Sequence, residues 1–191
     1  MWMLDVWVEK TDKGFISIKM NPFEAGVRKV IPSTLIYIFC EKKVLMIHRV
    51  KKNQDFHKGK WNGIGGKLEL NEDPLAGAVR EIAEETGIRI EEKALLPMGT
   101  LTFPSFKATE EQDWICFIFR ADLPGKISDY SLIETTEGHL EWHPQEKVLE
   151  LPLWDGDPTF IPFVIERKPF LGTYWYENKK LIKYKLTCIR S

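Results

Sequence analysis

Residues 66–88 read GKLELNEDPLAGAVREIAEETGI, and the order of side chains here decides how the rest of the chain is read. Asp73 can cap a helix, Pro74 suits its first turn, and Gly87 stands where a helix stops. At about 100° per residue, Leu75, Ala78, Val79 and Ile82 fall on one side of that helix. Glu81, Glu84 and Glu85 fall on another. The apolar side can pack on a sheet. On the acidic side, like charges at i,i+3 and i,i+4 oppose the helix by roughly 0.2–0.5 kcal/mol per pair. A cation between them reverses that sign, and three carboxylates in one small area suit a hard divalent ion, magnesium above all. The plain alternative is a helix face that only meets water. Against it stands the glycine-dense loop just upstream, Trp61-Asn62-Gly63-Ile64-Gly65-Gly66, whose backbone can approach a ligand and offer it carbonyls.

Working outward, the chain alternates apolar and polar segments of strand length. Residues 1–20 pattern as a hairpin: Trp2, Leu4, Val6 and Val8 share one parity, Thr11-Asp12-Lys13-Gly14 turns, and Phe15-Ile16-Ser17-Ile18 returns. Pro22 and Gly26 mark a linker, so residues 1–30 read as an N-terminal extension and 31–191 as one domain. Thr34 to Cys40 and Val44 to Ile47 predict two strands joined by a tight turn. Further strands are expected near 96–103, 113–121 and 139–143, and a second helix from Asp157-Pro158 through Phe160, Phe163 and Ile165. Thr173–Tyr176 and Leu181–Leu186 predict a closing hairpin. Strands around two helices indicate a mixed α/β domain.

The 191 residues, 43% of them apolar, suffice for one domain with a substantial core. Twenty-seven basic against 28 acidic side chains leave a net charge of -1, which argues against a dedicated nucleic-acid binder but not against a small anionic substrate. Cys40, Cys116 and Cys188 are scattered through apolar runs without a CxxC pair and read as buried free thiols of a reducing compartment. The first residues lack the basic start and apolar stretch of a signal peptide, and no apolar run approaches the ~20 residues of a membrane helix. A cytoplasmic location is the expectation.

Gly66, five residues, Glu72, seven residues, Arg80-Glu81-Ile82, one residue, Glu84-Glu85, one residue, Gly87-Ile88: this order resembles, at every fixed position, the Nudix box of the MutT/Nudix hydrolases. At average amino-acid usage a chance match is on the order of one in a billion per window, so the signal is specific. Weaker similarity extends over about residues 34–191. The resemblance implies a Nudix fold, an α/β/α sandwich around a mixed sheet, and magnesium- or manganese-dependent hydrolysis of a nucleoside diphosphate linked to another group. It further implies that Glu81, Glu84, Glu85 and the Gly65 carbonyl bind metal, that Arg80 orients a glutamate, and that Glu72 supports the loop. Glu137, just before the strand at 139–143, occupies the place of an additional family glutamate that ligates metal or acts as base; an ordinary loop acid is the alternative.

Substrate choice must come from outside the box. Trp61-Asn62 and Leu153-Trp154-Asp155-Gly156-Asp157 supply an amide, an indole face and two carboxylates, which can stack on a base and read its edge. Both segments resemble the branch that hydrolyses 8-oxo-dGTP and related oxidised purine triphosphates. By position, Asn62 and Asp157 would hydrogen-bond the base, Trp154 would stack on it, Thr34 and Phe56 would line the pocket, and Lys67 and Asp155 would join the substrate site. One departure stands out: that branch has two adjacent acids, whereas Gly156 here separates Asp155 from Asp157. The histidines suggest no competing chemistry, and His48 and His57 are expected in surface or loop positions. Pro104, 16 residues past Ile88, lies near a spacing associated with ADP-ribose hydrolases, and dinucleotide polyphosphates are a further alternative. A non-catalytic binding module would typically have lost box glutamates, all of which are present. The expected partner is a small nucleotide, with neither a membrane nor a dedicated nucleic acid; the oligomeric state is open.

Overall fold

The computed structural model describes residues 7–10, 16–19, 29–51, 57–107 and 112–189. Strands β1 (Trp7–Lys10) and β2 (Ile16–Lys19) pair antiparallel as a separate two-stranded sheet, with Val8 opposite Ile18. Trp2, Leu4, the turn at 11–14, Pro22 and Gly26 lie outside the described residues, as does Phe56.

The main sheet contains β3 (Lys29–Cys40), β4 (Lys43–His48), β5 (Trp61–Asn62), β6 (Leu95–Lys107), β7 (Gln112–Asp122), β8 (His139–Pro144), β9 (Phe170–Glu177) and β10 (Lys180–Cys188). Its order is β10-β9-β6-β7-β3-β4-β5, with β8 paired to β4. The β3–β7 and β6–β9 pairs are parallel and the rest antiparallel, so the sheet is mixed as expected.

β3 begins five residues before the Thr34 start read from its apolar run, because Lys29 to Ser33 already pair in parallel with Gln112 to Cys116. Pro32 is tolerated there. The N–H groups of Thr34 and Ile36 point to the loop at 64–66, so by alternation the donor missing at Pro32 faces that side and costs no bond to β7.

Alternation along β3 also divides the core. Ile36, Ile38 and Cys40 pack with Ala78 and Ile82 of α1 (Pro74–Thr86). Tyr37 and Phe39 pack with Phe160, Ile161 and Val164 of α2 (Asp157–Ile165). Each helix thus covers one face, which gives the α/β/α sandwich. Full burial of each such side chain stabilises by about 1.5–3 kcal/mol.

Buried Arg120 on β7 ties the second layer to the sheet. Its guanidinium lies 3.7 Å over the Phe39 ring, donates to the Val164 and Ile165 carbonyls at 2.9 and 3.0 Å, and forks onto Asp122 at 2.8 and 2.6 Å. It therefore caps the carbonyl end of α2. Arg120→Met keeps the apolar stem but orphans those acceptors, and a loss of about 2 kcal/mol in urea unfolding is expected. A change below about 0.5 kcal/mol would show the cap to be dispensable.

The feature that positions the site is a parting between β3 and β4. The two strands pair only from Ile38–Leu45 to Cys40–Lys43, after which β4 turns to β5. The vacated edge of β3 is taken by the glycine-rich loop: Thr34 N–H donates to Gly66 O at 2.8 Å, and Ile36 exchanges both bonds with Ile64 at 2.6 and 2.9 Å.

Candidate active site

The loop and α1 are fitted to one another. Asp73 Oδ1 accepts from the N–H groups of Leu75 and Ala76 at 2.8 and 3.1 Å, and Gly87 closes the helix at φ 79°, as the sequence predicts. Gly65 sits at φ +146°, and a Cβ there would run into the Thr34 carbonyl oxygen. Only glycine lets this loop lie flat on β3. With Ile64 and Gly66 bonded to β3, the Gly65 N–H turns to the helix side and donates to Glu85 Oε2 at 3.0 Å. The Glu81 carboxylate lies directly against Gly66, in space a side chain would fill.

Two arginines hold the acids. Arg80 forks onto Glu72 at 2.8 and 2.9 Å, reaches Glu81 at 2.9 Å and Glu84 at 3.0 Å, and donates to Lys67 O at 3.1 Å. Glu72 also accepts the Glu69 N–H at 2.8 Å, so one ion pair ties the loop to the helix. The Arg80 hydrogen bonds hold the Glu72 carboxyl down at about 2. Arg49, which follows β4 and which the sequence reading passed over, pairs with Glu137 and lies 3.6 Å from Glu85. A basic residue directly after the end of β4, two past the buried run Val44–Ile47, was the available signal.

Burial pushes Glu85 up to about 8, with Glu137 and Glu81 adding to the shift and the Gly65 N–H and Arg49 opposing it. Burial likewise raises Glu81, against the pull of Arg80. Among the described residues no three acids are placed to hold one ion; Arg80 bridges Glu81 and Glu84, and Arg49 bridges Glu85 and Glu137. Even so, the donors are crowded, anionic and all oxygen, and the Glu81 side chain rests in a cradle that a Cβ at Gly66 would fill. That set fits a hard divalent cation.

From this cluster a pocket of about 360 Å³ runs inward. Arg49, Gly65, Gly66, Lys67 and Glu137 line part of it. Thr34, Asn62, Trp154 and Asp157, four of the residues expected to contact substrate, line the rest. Thr34 is only 3% exposed, and its Oγ1 has no partner among the described residues. Trp154 donates from Nε1 to His57 Nδ1 at 2.9 Å and stands edge-on to Tyr176 at 5.9 Å. Lys67 Nζ lies 5.4 Å over the Trp114 ring.

Asp155 is not brought to the pocket. It is exposed on the far side of its turn, where it accepts the Leu181 N–H at 3.4 Å, because the Trp154–Asp157 turn admits one acid inward. His57 lies in the turn at 57–59, in keeping with the expected loop position, and from there lines the pocket. His48 instead ends β4 and is half-buried; it stacks on Trp61 at 4.6 Å, with His143 edge-on to the same ring at 4.5 Å.

Sequence reading further missed an aromatic wall of Phe103, Phe106, Trp114 and Tyr176. Strict alternation would send Phe103 and Phe106 to opposite faces. A bulge intervenes: the β6–β7 register shifts between Phe103 and Lys107, Ser105 adopts φ 53°, and its N–H is held by Asp113 Oδ1 at 2.7 Å. Both rings then meet at 5.3 Å.

Asp157 is raised to about 7, chiefly by burial, with Asp155 adding and the Trp154 N–H and Lys60 opposing. Its folded value exceeds the ordinary 3.8, so the folded state binds the proton more tightly than the unfolded chain. That stabilisation is present below pH 3.8 and is lost as pH rises to about 7. Relative to Asp157→Asn, wild type should therefore lose stability over this window, by at most about 1.4 kcal/mol per pH unit. Parallel melting curves for the two proteins from pH 4 to 8 would refute the assignment.

Comparison with known proteins gives the family. The family model described as NUDIX domain matches residues 29–164. An oxidized purine nucleoside triphosphate hydrolase of Danio rerio is 30% identical over 150 residues, covering 78% of this chain and 88% of the relative. The uncharacterized Nudix hydrolase YvcI of Bacillus subtilis is 31% identical over 150 residues, covering 76% and 87%. The crystal structure of a mutator MutT protein from Bacillus halodurans superposes with a TM-score of 0.67 at 28% identity, over 82% of this chain and 97% of that one. With the box residues on the loop and helix described above, this chain belongs to the Nudix hydrolase family.

Proposed function

We propose that this Nudix hydrolase cleaves a purine nucleoside triphosphate, oxidised purines included, to the monophosphate and pyrophosphate, with magnesium or manganese as cofactor. The observation that carries this reading is the continuity of one pocket. Glu137, Arg49, Gly65 and Gly66, which adjoin the box glutamates, share its lining with Lys67, aromatic rings, Asn62, Thr34 and Asp157. The relatives named as oxidized purine nucleoside triphosphate hydrolases support the substrate class.

Glu81, Glu84, Glu85, Glu137 and the Gly65 carbonyl would hold the metal. A divalent ion bound there would make water a stronger nucleophile and offset the charge on the phosphate oxygens. Arg80 fixes the direction of Glu81 and Glu84, while Glu72 fixes Arg80. The Gly65 N–H keeps Glu85 turned to the site. Arg49 and Lys67 meet the phosphates. Thr34, whose hydroxyl has no partner among the described residues, gains one from the ligand, and Asn62 and Asp157 bind the base edge beside Trp154.

The test is kcat/KM for 8-oxo-dGTP, dGTP and ADP-ribose with magnesium, with products separated. A purine triphosphate should dominate and yield pyrophosphate. Preferential conversion of ADP-ribose to AMP and ribose phosphate would overturn the reading.

A further inference from the structure

Gly156 replaces one of the two adjacent acids of the oxidised-purine branch, and its surroundings explain why no side chain stands there. Gly156 is buried, and a Cβ on it would lie 2.7 Å from Tyr176 Oη and 2.8 Å from Tyr174 Cδ1. Its N–H donates to Tyr176 Oη at 2.9 Å. The Tyr176 hydroxyl therefore fills the space that an acid at position 156 would use. Asp155 does not substitute for it, being turned outward to the Leu181 N–H.

A phenol carries one proton and accepting lone pairs. At Tyr176 the Gly156 N–H uses the accepting side, and among the described residues nothing takes the proton. The ring cannot swing away, since it stands edge-on to Trp154 at 5.9 Å and 87° and to Phe106 at 5.9 Å and 85°. Burial, with Asp157 adding, holds the Tyr176 phenol well above its ordinary value, so the proton stays through the neutral range. Tyr176 and Asp157 both line the pocket. They present a hydroxyl donor next to the Asp157 carboxyl group, which accepts as the carboxylate above about pH 7. A 6-oxopurine offers the complement, a keto oxygen beside a ring N–H. A 6-aminopurine offers the reverse order, an amino donor beside a bare ring nitrogen.

We propose that Tyr176 is a base-reading residue whose hydroxyl donates to the keto oxygen of a 6-oxopurine and so selects it over a 6-aminopurine. This rests on the purine triphosphate reading above. It reverses the polarity of the position, because an ionised acid at 156 would accept where Tyr176 donates.

The experiment compares wild type with Tyr176→Phe, which keeps the ring, using kcat/KM for dGTP and dITP against dATP. Wild type should favour the two 6-oxopurines. The variant should lose about tenfold or more on dGTP and dITP, mainly through KM, and stay within about twofold on dATP. A merely structural hydroxyl, needed only to anchor Gly156, would lower all three alike; that result, or an unchanged ratio, overturns the proposal. Calorimetric Kd values for dGMP against dAMP read the same preference without turnover. If wild type hydrolyses no purine triphosphate, the functional reading fails, and the Kd ratio still decides the role of Tyr176.

Discussion

Glu84→Gln is expected to fold as wild type does and to lose about 10³-fold or more in kcat, roughly 4 kcal/mol of transition-state stabilisation. Glu84 separates structure from chemistry better than the other box glutamates. Its side chain is 60% exposed, and its one described contact is the Arg80 guanidinium at 3.0 Å. Gln keeps a hydrogen bond to Arg80, and an exposed i,i+4 pair contributes only about 0.3–0.5 kcal/mol. What the substitution removes is a negative charge from the helix face proposed to hold metal. Glu85→Gln would be less informative, because Glu85 is buried and bonded to Gly65 N–H. Magnesium-dependent turnover near wild type in Glu84→Gln would mean that this glutamate is no ligand.

Gly65→Ala should cost about 3 kcal/mol of stability, with activity falling by about 100-fold or more. Alanine is strained at φ +146°, and its methyl group would meet the Thr34 carbonyl. The strand cannot give way, because Thr34 is paired with Phe117 of β7 and donates to Gly66 O at 2.8 Å. The loop must therefore lift, which breaks the Gly66 bond and withdraws the Gly65 N–H from Glu85. A lower urea midpoint at unchanged m-value is the expected signature. Wild-type stability with full turnover would show that the loop does not need its close approach to β3.

Much of the architecture was legible because it is local. Asp73, Pro74 and Gly87 delimit α1 to the residue, and parity along Ile36–Cys40 divides the two core faces. The closing hairpin was readable from Glu177-Asn178-Lys179-Lys180, where Asn178 and Lys179 adopt φ 49° and 66°. The site was legible where it is contiguous in the chain: Arg80 does reach Glu84 four residues on, as helical spacing allows. Arg49, Phe106 and Tyr176 were not, since each enters the pocket from a different strand or strand end.

The quoted stretch from Gly66 to Ile88, by itself, determined the helix, its acidic face and the family, because caps, helical periodicity and spacing are properties of neighbouring residues. Only the tertiary structure decided what that face works with. A bulge set by Ser105 and Asp113 turned Phe106 inward, the parting of β3 from β4 opened the pocket, and Tyr176 claimed the space beside Gly156. Those outcomes depend on strand register and close packing between segments far apart in the chain, and no pattern within one segment encodes them.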